Sequence, residues 1–374
     1  MEKNVPAALK LSNRKIVYRV LAGEDGLSRA DIARRTGISG ATVIKIAEYL
    51  AGRNIISYDP SEPTALPGRK PTPLRFNKNF AYCIAIYMEG IYTSIGILNA
   101  SGDAVLSQDF KVPDTERFFQ KELYAQVDKL MKAGGIDRNK LIGIGIAIPA
   151  AVDPVSKRVF RAPLFHDTKL ANLESILQEI SARYSLPVFV ENDVNAAAYG
   201  EYRRVYADVT SALVYISLGS GLGGGIILNN KLWKGQKAGA GEIGYMLFDP
   251  HVQQTSEQLG WLETKINVTA LRTAFHSDIQ TPIDQEQGSK IAHYLSKYIS
   301  LAILNIYATL DIQTVVLGGV LTEYLSAYLL PEINRELRRM SAYAPEVVYG
   351  KIKKPGFVGL SCIIIDELLD QILT

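Results

Sequence analysis

The segment SALVYISLGSGLGGGIILNNKLW, residues 211–233, restricts the fold more than any other part of the chain. Five of its residues between 219 and 225 are glycine. Gly219-x-Gly221-x-x-Gly224 has the spacing of a dinucleotide-binding loop. Such a loop needs a strand before it and a helix behind it, so that the pyrophosphate meets the helix N-terminus. Here the strand-like ALVYISL is followed by GIIL and the turn pair Asn229-Asn230. An apolar run ending in an Asn-Asn turn reads as a second strand. The sequence therefore predicts a β-hairpin with a glycine turn and excludes a dinucleotide-binding βαβ unit here. The turn can still offer backbone N–H groups to an anion.

Around this hairpin, strand and helix patterns alternate. Residues 81–112 read as three β-segments with turns at Glu89-Gly90 and Ser101-Gly102. LIGIGIAIP and LPVFVEND have the length and apolarity of buried strands. FFQKELYAQVDKLMKAGG, LANLESILQEISARYS and VNAAAYGEYRRVY read as helices. This alternation indicates an α/β body. No run of about 18 apolar residues is present, which argues against a membrane span. The opening residues MEKNVPAALKLSNRK lack the apolar centre of a secretion signal. Cys83 and Cys362, the only cysteines, both stand in apolar runs and read as small buried core residues. These features predict a cytoplasmic protein.

The first 75 residues differ in kind. Residues 1–80 carry 14 Lys and Arg against 7 Asp and Glu, whereas residues 81–374 carry 27 against 31. A basic head on a slightly acidic body suggests a polyanionic partner for the head. SNRKIVYRVLAG places Ile16, Val17, Val20 and Leu21 on one helical face. LSRADIARRTG starts with a capping-box pattern, Ser28-x-x-Asp31, and ends at Gly37, a C′ glycine. Ser39 then caps GATVIKIAEYLAGRN. Two helices joined by a tight glycine turn make a helix-turn-helix. Val43, Ile46, Ala47 and Leu50 are expected to face inward. Arg29, Ser39, Gly40, Ala41, Thr42 and Lys45 are the candidate DNA contacts of the helices. IISYD and the segment up to PLRF predict a β-wing, with Arg69 and Lys70 as candidate DNA contacts between Gly68 and Pro71.

Several acids stand in loops of the body. Asn192 and Asp193 follow the strand LPVFV, where ligands gather in open α/β sheets. Glu242 lies in KGQKAGAGEIGYM and Glu263 in GWLETKIN. Carboxylates beside a polar amide can accept sugar hydroxyls, and one can serve as a general base.

At these motifs the chain resembles the ROK family of repressors and sugar kinases. GIGIAIPAAVD is similar to its strand and Pro-containing turn, and LPVFVENDVNAAAYGE to its substrate strand and helix. LGSGLGGGIILNNKLWKGQKAGAGEIGYM resembles its second phosphate loop and sugar loop. NIYATLDIQTVVLGGVL resembles the approach to its adenosine-side glycines, Gly318-Gly319, and GWLET the end of its zinc loop. The winged head resembles that of the regulator branch. The resemblance implies an actin/hexokinase-like body of two α/β lobes, preceded by a winged helix-turn-helix. The expected domains are residues 1–75 for the head, 76–191 for the first lobe with helix 358–374 returning to it, and 192–357 for the second lobe. It further implies that Asn192, Asp193, Glu242, Tyr245 and Glu263 form an effector site, with Asp193 at the general-base position.

Three departures from the family pattern matter. Kinases of the family grip ATP phosphates with an Asp-x-Gly-Gly-Thr turn, where this chain has Tyr87-Met88-Glu89-Gly90-Ile91. Their zinc loop supplies a His and three Cys, where this chain has Tyr245 at the His position and Trp261 at the last Cys position. Many of them place an Asn after a Pro, where this chain has Pro163-Leu164. The expectation is a sugar-responsive DNA-binding repressor that is not an enzyme and uses no metal or cofactor. Its expected partners are operator DNA and a monosaccharide or sugar-phosphate effector, in a homodimer or tetramer. An ATP-dependent sugar kinase with a DNA-binding head and a regulator that senses a protein partner are the alternatives.

Overall fold

The computed structural model describes residues 5–58, 72–90, 92–112, 117–153, 159–160, 173–252, 259–276, 279 and 283–374. Arg69 and Lys70 in the wing, Ile91 in the departed turn, and Pro163-Leu164 lie outside the described residues.

The head contains α1 (Val5–Gly23), α2 (Arg29–Thr36) and α3 (Gly40–Gly52), followed by β1 (Ile56–Tyr58) and β2 (Leu74–Phe76). Its local signals act as the sequence predicts. Ser28 accepts the Asp31 N–H while Asp31 accepts the Ser28 N–H, which completes the capping box. Gly37 terminates α2 at φ 69°, and Ser39 caps α3 by accepting from Thr42. Val43, Ile46, Ala47 and Leu50 are buried. β1 and β2 pair antiparallel, Ile56 against Phe76, and Leu27 bridges to Leu74. One expectation fails in α1: Ile16 is 39% exposed, and the buried face is Val17, Tyr18 and Leu21. Tyr18 wins that place because its ring meets Phe76 and Phe80 edge-on.

The first lobe is a five-stranded sheet of β3 (Tyr82–Glu89), β4 (Tyr92–Asn99), β5 (Ala104–Lys111), β6 (Leu141–Ile148) and β9 (Val188–Asn192), in the order β5-β4-β3-β6-β9. The short β7 (Ala151–Val152) and β8 (Val159–Phe160) pair with each other. Helices α4 (Leu123–Gly134) and α5 (Leu173–Tyr184) pack their apolar faces on this sheet. Helix α6 (Asp193–Glu201) then leads to the second sheet. There β10 (Leu213–Leu218) and β11 (Leu222–Leu228) form the glycine hairpin, paired antiparallel from Leu213↔Ile227 to Leu218↔Leu222. With β12 (Lys231–Leu232), β13 (Thr314–Gly318) and β14 (Glu346–Tyr349) they follow the order β12-β11-β10-β13-β14. Both sheets thus run antiparallel, antiparallel, parallel, parallel across the order, so the body repeats one topology twice.

Helices α7 (Glu263–Ile266), α8 (Val268–Phe275), α9 (Gln285–Leu310), α10 (Val320–Tyr324) and α11 (Leu329–Met340) build up the second lobe. The last helix, α12 (Pro355–Leu373), returns to the first lobe, where Phe357, Leu360 and Ile364 cover Cys83, Ala85 and Leu98. Its other side joins the core of the head through Ile365, Leu369 and Leu373. α12 crosses α6 with bare backbone. A Cβ on Gly359 would lie 1.7 Å from the Ala196 carbonyl oxygen, so only glycine permits this approach. Cys83 is buried as expected, which pushes its thiol up to about 12, whereas Cys362 on α12 is only partly covered, against the expectation of a buried core residue.

No helix among the described residues is long and apolar enough to cross a membrane.

Candidate functional site

Asn192 closes β9 and caps α6. Its backbone is extended, and its Oδ1 accepts the Asn195 N–H at 2.9 Å. Its Nδ2 donates to the Ala150 carbonyl at 3.2 Å, which ties the cap to the turn after β6. Asp193 is therefore held as the first helical residue, only 8% exposed. Burial first, and the charge of Glu89 second, hold its carboxyl well above the usual carboxylate range. Glu191, two residues before Asp193, accepts the Asn192 N–H at 3.0 Å and the Asn195 Nδ2 at 3.2 Å, and pairs with Lys234. Lys234 belongs to the segment that carries Glu242, so this ion pair fixes the loop to the strand.

Glu263 opens α7. Its Oε1 accepts the Leu222 N–H at 3.3 Å, and burial, with the nearby Glu242 charge adding, raises its carboxyl to about 7. Glu242 precedes the tight turn Ile243–Tyr245. Asn192, Asp193, Glu242, Tyr245 and Glu263 all line one cleft between the lobes, as does the hairpin turn at Gly219–Gly221. The five candidate effector residues, drawn from three separate stretches of sequence, therefore converge.

Glu89 also lines this cleft. The turn it opens faces the glycine hairpin: a Cβ on Gly90 would lie 3.0 Å from Ser220 Oγ, and one on Gly219 3.9 Å from Glu89 Oε1. Burial and then the Glu323 charge raise the Glu89 carboxyl. Five carboxyls thus bound the cleft, Glu89, Glu191, Asp193, Glu242 and Glu263, of which Glu191 is paired with Lys234. They suit a ligand rich in hydroxyl donors, and each one that is ionised opposes a phosphate, at roughly 1–4 kcal/mol per charge pair at about 4 Å and effective dielectrics of 80 to 20. The hairpin glycines have a packing duty instead, since a Cβ on Gly225 would stand 2.2 Å from Ala198 Cβ of α6.

Asn195 was not anticipated from the sequence. It is 5% exposed and lines the cleft, and its Oδ1 accepts no hydrogen bond from the described residues. The signal available was its position three residues after the capping Asn192, the N3 place from which a side chain can reach back toward the helix start, as Asn195 does to Glu191.

In the head, Ala41 and Lys45 are exposed on α3 and Thr42 is half-buried beside Ser39, with Gly40 opening the helix. Arg29 lies 5.7 Å from the Tyr58 ring centre, which joins the start of α2 to the wing strand. Ile44, between Ala41 and Lys45, is 41% exposed. It escaped notice because it sits among Val43 and Ile46, which are core. Arg34 and Arg35 are paired with Asp31 and Glu24.

Residues 83–358 match the model of the ROK family. The chain is 25% identical to the xylose repressor of Bacillus spizizenii, covering 97% of each protein. Among solved structures it is similar to a ROK family transcriptional regulator homologous to the E. coli MLC protein, at a TM-score of 0.77 and 22% identity, covering 98% of both chains. It is also similar to a ROK family glucokinase from Streptomyces griseus solved with glucose and AMPPNP, at a TM-score of 0.62 and 23% identity, covering 76% of this chain and 99% of that one. The regulator covers nearly the whole chain, the kinase about three quarters of it. With three quarters of its length matched, the chain belongs to the ROK family.

Proposed function

We propose that this protein is a cytoplasmic, sugar-responsive transcriptional repressor. Its head binds operator DNA and its body binds a neutral monosaccharide effector, since the carboxyls of the cleft disfavour a sugar phosphate, and it works as a homodimer or tetramer without phosphorylating its ligand. The observation that carries this reading is the convergence of Asn192, Asp193, Glu242, Tyr245 and Glu263 on one cleft whose wall, α6, bears directly on the helix that holds the head. The full-length likeness to a Bacillus repressor supports it.

An effector acts through its differential affinity for two states of the protein, typically about 1–3 kcal/mol. In this protein the two states differ in lobe closure. Residues on the cleft wall sense closure, and α12 carries it to the head. Paired heads in an oligomer then match or miss two half-sites one helical turn apart.

A sugar kinase is the second reading. Asp193, a proton-retaining carboxyl at the head of a helix, and the glycine hairpin favour it. Glu89 weighs against it, since it occupies the gap between the two turns that would hold ATP phosphates.

The test combines two measurements. Duplex DNA enriched from a random-sequence pool is titrated with the protein by fluorescence anisotropy, with and without xylose and other neutral monosaccharides. The same sugars are then incubated with protein and ATP in a coupled ADP assay. DNA binding that shifts with a sugar, without ADP release, is the expected result. Sugar-dependent ADP release that disappears in Asp193→Asn establishes the kinase reading instead.

A further inference from the structure

Tyr245 and Glu263, whose positions in the resembled kinase pattern flank a zinc loop, stand on two segments that meet at the cleft. A structural zinc site needs four thiolate, imidazole or carboxylate ligands at about 2.0–2.3 Å. Residues 245–263 contain no Cys and a single His, His251, which is exposed. Among the described residues no group of His, Cys, Asp and Glu can hold a metal ion. The residues present do not fit zinc.

A chain of aromatic rings occupies that part of the molecule. Trp261, at the position of the last family Cys, packs edge-on against Phe248 with ring centres 5.8 Å apart and an interplanar angle of 88°. On its other side it meets Tyr298 of α9 at 6.1 Å. Tyr298 meets Tyr294 at 5.2 Å, one turn away on the same helix, and Tyr294 meets Phe275 of α8 at 5.6 Å. Lys265 places its ammonium 5.5 Å from the Trp261 ring. Edge-to-face contacts of this kind are directional, which hydrophobic burial alone is not.

The two loop segments also touch through bare backbone. A Cβ on Gly260 would lie 2.1 Å from the Gly244 carbonyl oxygen, and one on Gly244 would lie 3.2 Å from Glu263 Cβ. Phe248 stands three residues beyond Tyr245, and Trp261 two before Glu263. The Phe248–Trp261 contact therefore closes over the Gly244–Gly260 junction and joins the segments that carry Glu242 and Glu263.

We propose that Trp261 is a positioning residue that replaces metal cross-linking in this chain: its ring, clamped between Phe248 and Tyr298, fixes the Glu242–Tyr245 turn and Glu263 relative to each other. Its role in effector binding rests on the function proposed above, but the ordering itself does not, and the test needs no sugar.

Hydrogen exchange by mass spectrometry is followed in the full-length protein without ligand, for the native chain, Trp261→Phe, Trp261→Ala and Phe248→Ala. Trp261→Ala and Phe248→Ala are expected to speed amide exchange across 242–248 and 260–266 about tenfold, with exchange in α2, α3 and the first lobe unchanged. Trp261→Phe keeps native exchange, because an aromatic edge and face remain. Chelation with EDTA leaves the native protein unchanged. Native exchange in both alanine variants overturns the proposal, as does faster exchange in these segments after EDTA. If Trp261→Ala does not fold, Phe248→Ala, half-exposed at the end of the ring chain, decides alone. A further arm measures the effect of xylose on Tm. A shift in the native protein and Trp261→Phe that is lost in Trp261→Ala supports the positioning role. No shift in any variant counts against the sugar reading and leaves the exchange result standing.

Discussion

Asp366 and Arg203 form an ion pair between α12 and the segment that follows α6. The Tyr199 hydroxyl donates to the same Asp366 oxygen, Oδ2. The other oxygen faces Arg19 of α1 at 3.9 Å. One carboxylate of α12 therefore links the helix that starts at the candidate effector residues to α1 of the head. Asp366→Asn keeps the shape and removes the charge. It is expected to leave DNA and sugar affinities within about twofold of native, while the ratio of DNA Kd values with and without sugar falls toward one, from the roughly 5–150-fold range of such couplings. Anisotropy titrations with and without sugar measure this ratio. A native ratio in the variant removes Asp366 from the relay.

Glu263 gives the cleft a pH signature. Its carboxyl is raised to about 7 by burial, with Glu242 adding. The folded state then holds this proton more tightly than the unfolded chain. The contribution of Glu263 to stability therefore falls as pH rises from about 4.3 to about 7 and levels off above. A sugar that donates to the ionised carboxylate binds better as the proton leaves. Effector affinity should rise about tenfold between pH 6 and 8, and Glu263→Gln should flatten that rise. Calorimetric titration across this range checks both. An equally steep rise in Glu263→Gln assigns the titration to another group.

Local chemistry made much of this molecule legible in the sequence. The capping box at Ser28 and Asp31, the glycine stop at Gly37 and the hairpin around Gly219 each depend on neighbours within a few residues, so their patterns survive in a one-dimensional reading. The carboxyl site was found through resemblance and strand ends, not through contacts. What stayed hidden depends on long-range meetings. Nothing in the sequence places Asp366 beside Tyr199, 167 residues away, or turns Glu89 toward Asp193. Ile16 fits the helical period of α1, yet Tyr18 takes the buried place because Phe76 and Phe80 arrive from the wing strand and the turn after it.

Glu242→Ala removes an acceptor from the cleft without touching the head. It is expected to abolish the effect of sugar on DNA binding and to leave the DNA Kd within about twofold of native. Loss of one hydrogen bond from a charged acceptor costs about 1.5–3 kcal/mol, or roughly 10- to 150-fold in sugar affinity. A sugar titration of the variant at fixed DNA concentration measures it, and an unchanged midpoint takes Glu242 out of the site.

Lys45 is exposed on α3. If it meets a phosphate, Lys45→Ala lowers the slope of log K against log salt by about 0.9, the share of one released counterion. The wing double variant Arg69→Ala/Lys70→Ala should lower it by about twice that. Anisotropy between 50 and 300 mM salt, on the order of the usual working range, reads the slope. Weaker binding with the native slope assigns these residues to base edges or to folding of the head.

Arg14 tests whether the head is seated rigidly enough to receive a signal from the body. It is 8% exposed, its guanidinium carbon lies 3.3 Å from the centre of the Tyr49 ring, and its Nη1 donates to the Leu373 carbonyl. Arg53 approaches the same ring at 4.9 Å and donates to the Ile372 carbonyl at 3.0 Å. The last carbonyls of α12 have no partner within the helix, so these two arginines satisfy them and favour its negative end. Arg14→Ala loses a charge-assisted hydrogen bond worth about 1.5–3 kcal/mol and a cation–π contact worth about 0.5–2 kcal/mol. Arg53→Ala, at the exposed edge, should cost under about 1 kcal/mol. Arg14→Lys should not restore the loss, because an ammonium cannot lie flat on the ring while bonding the carbonyl. Urea unfolding followed by tyrosine and tryptophan fluorescence measures the stabilities. The same Arg14→Ala protein should keep its sugar-induced Tm shift and lose part of the sugar effect on DNA. Full restoration by lysine, or an unaltered sugar effect on DNA, would show that the seat under Arg14 does not transmit the signal.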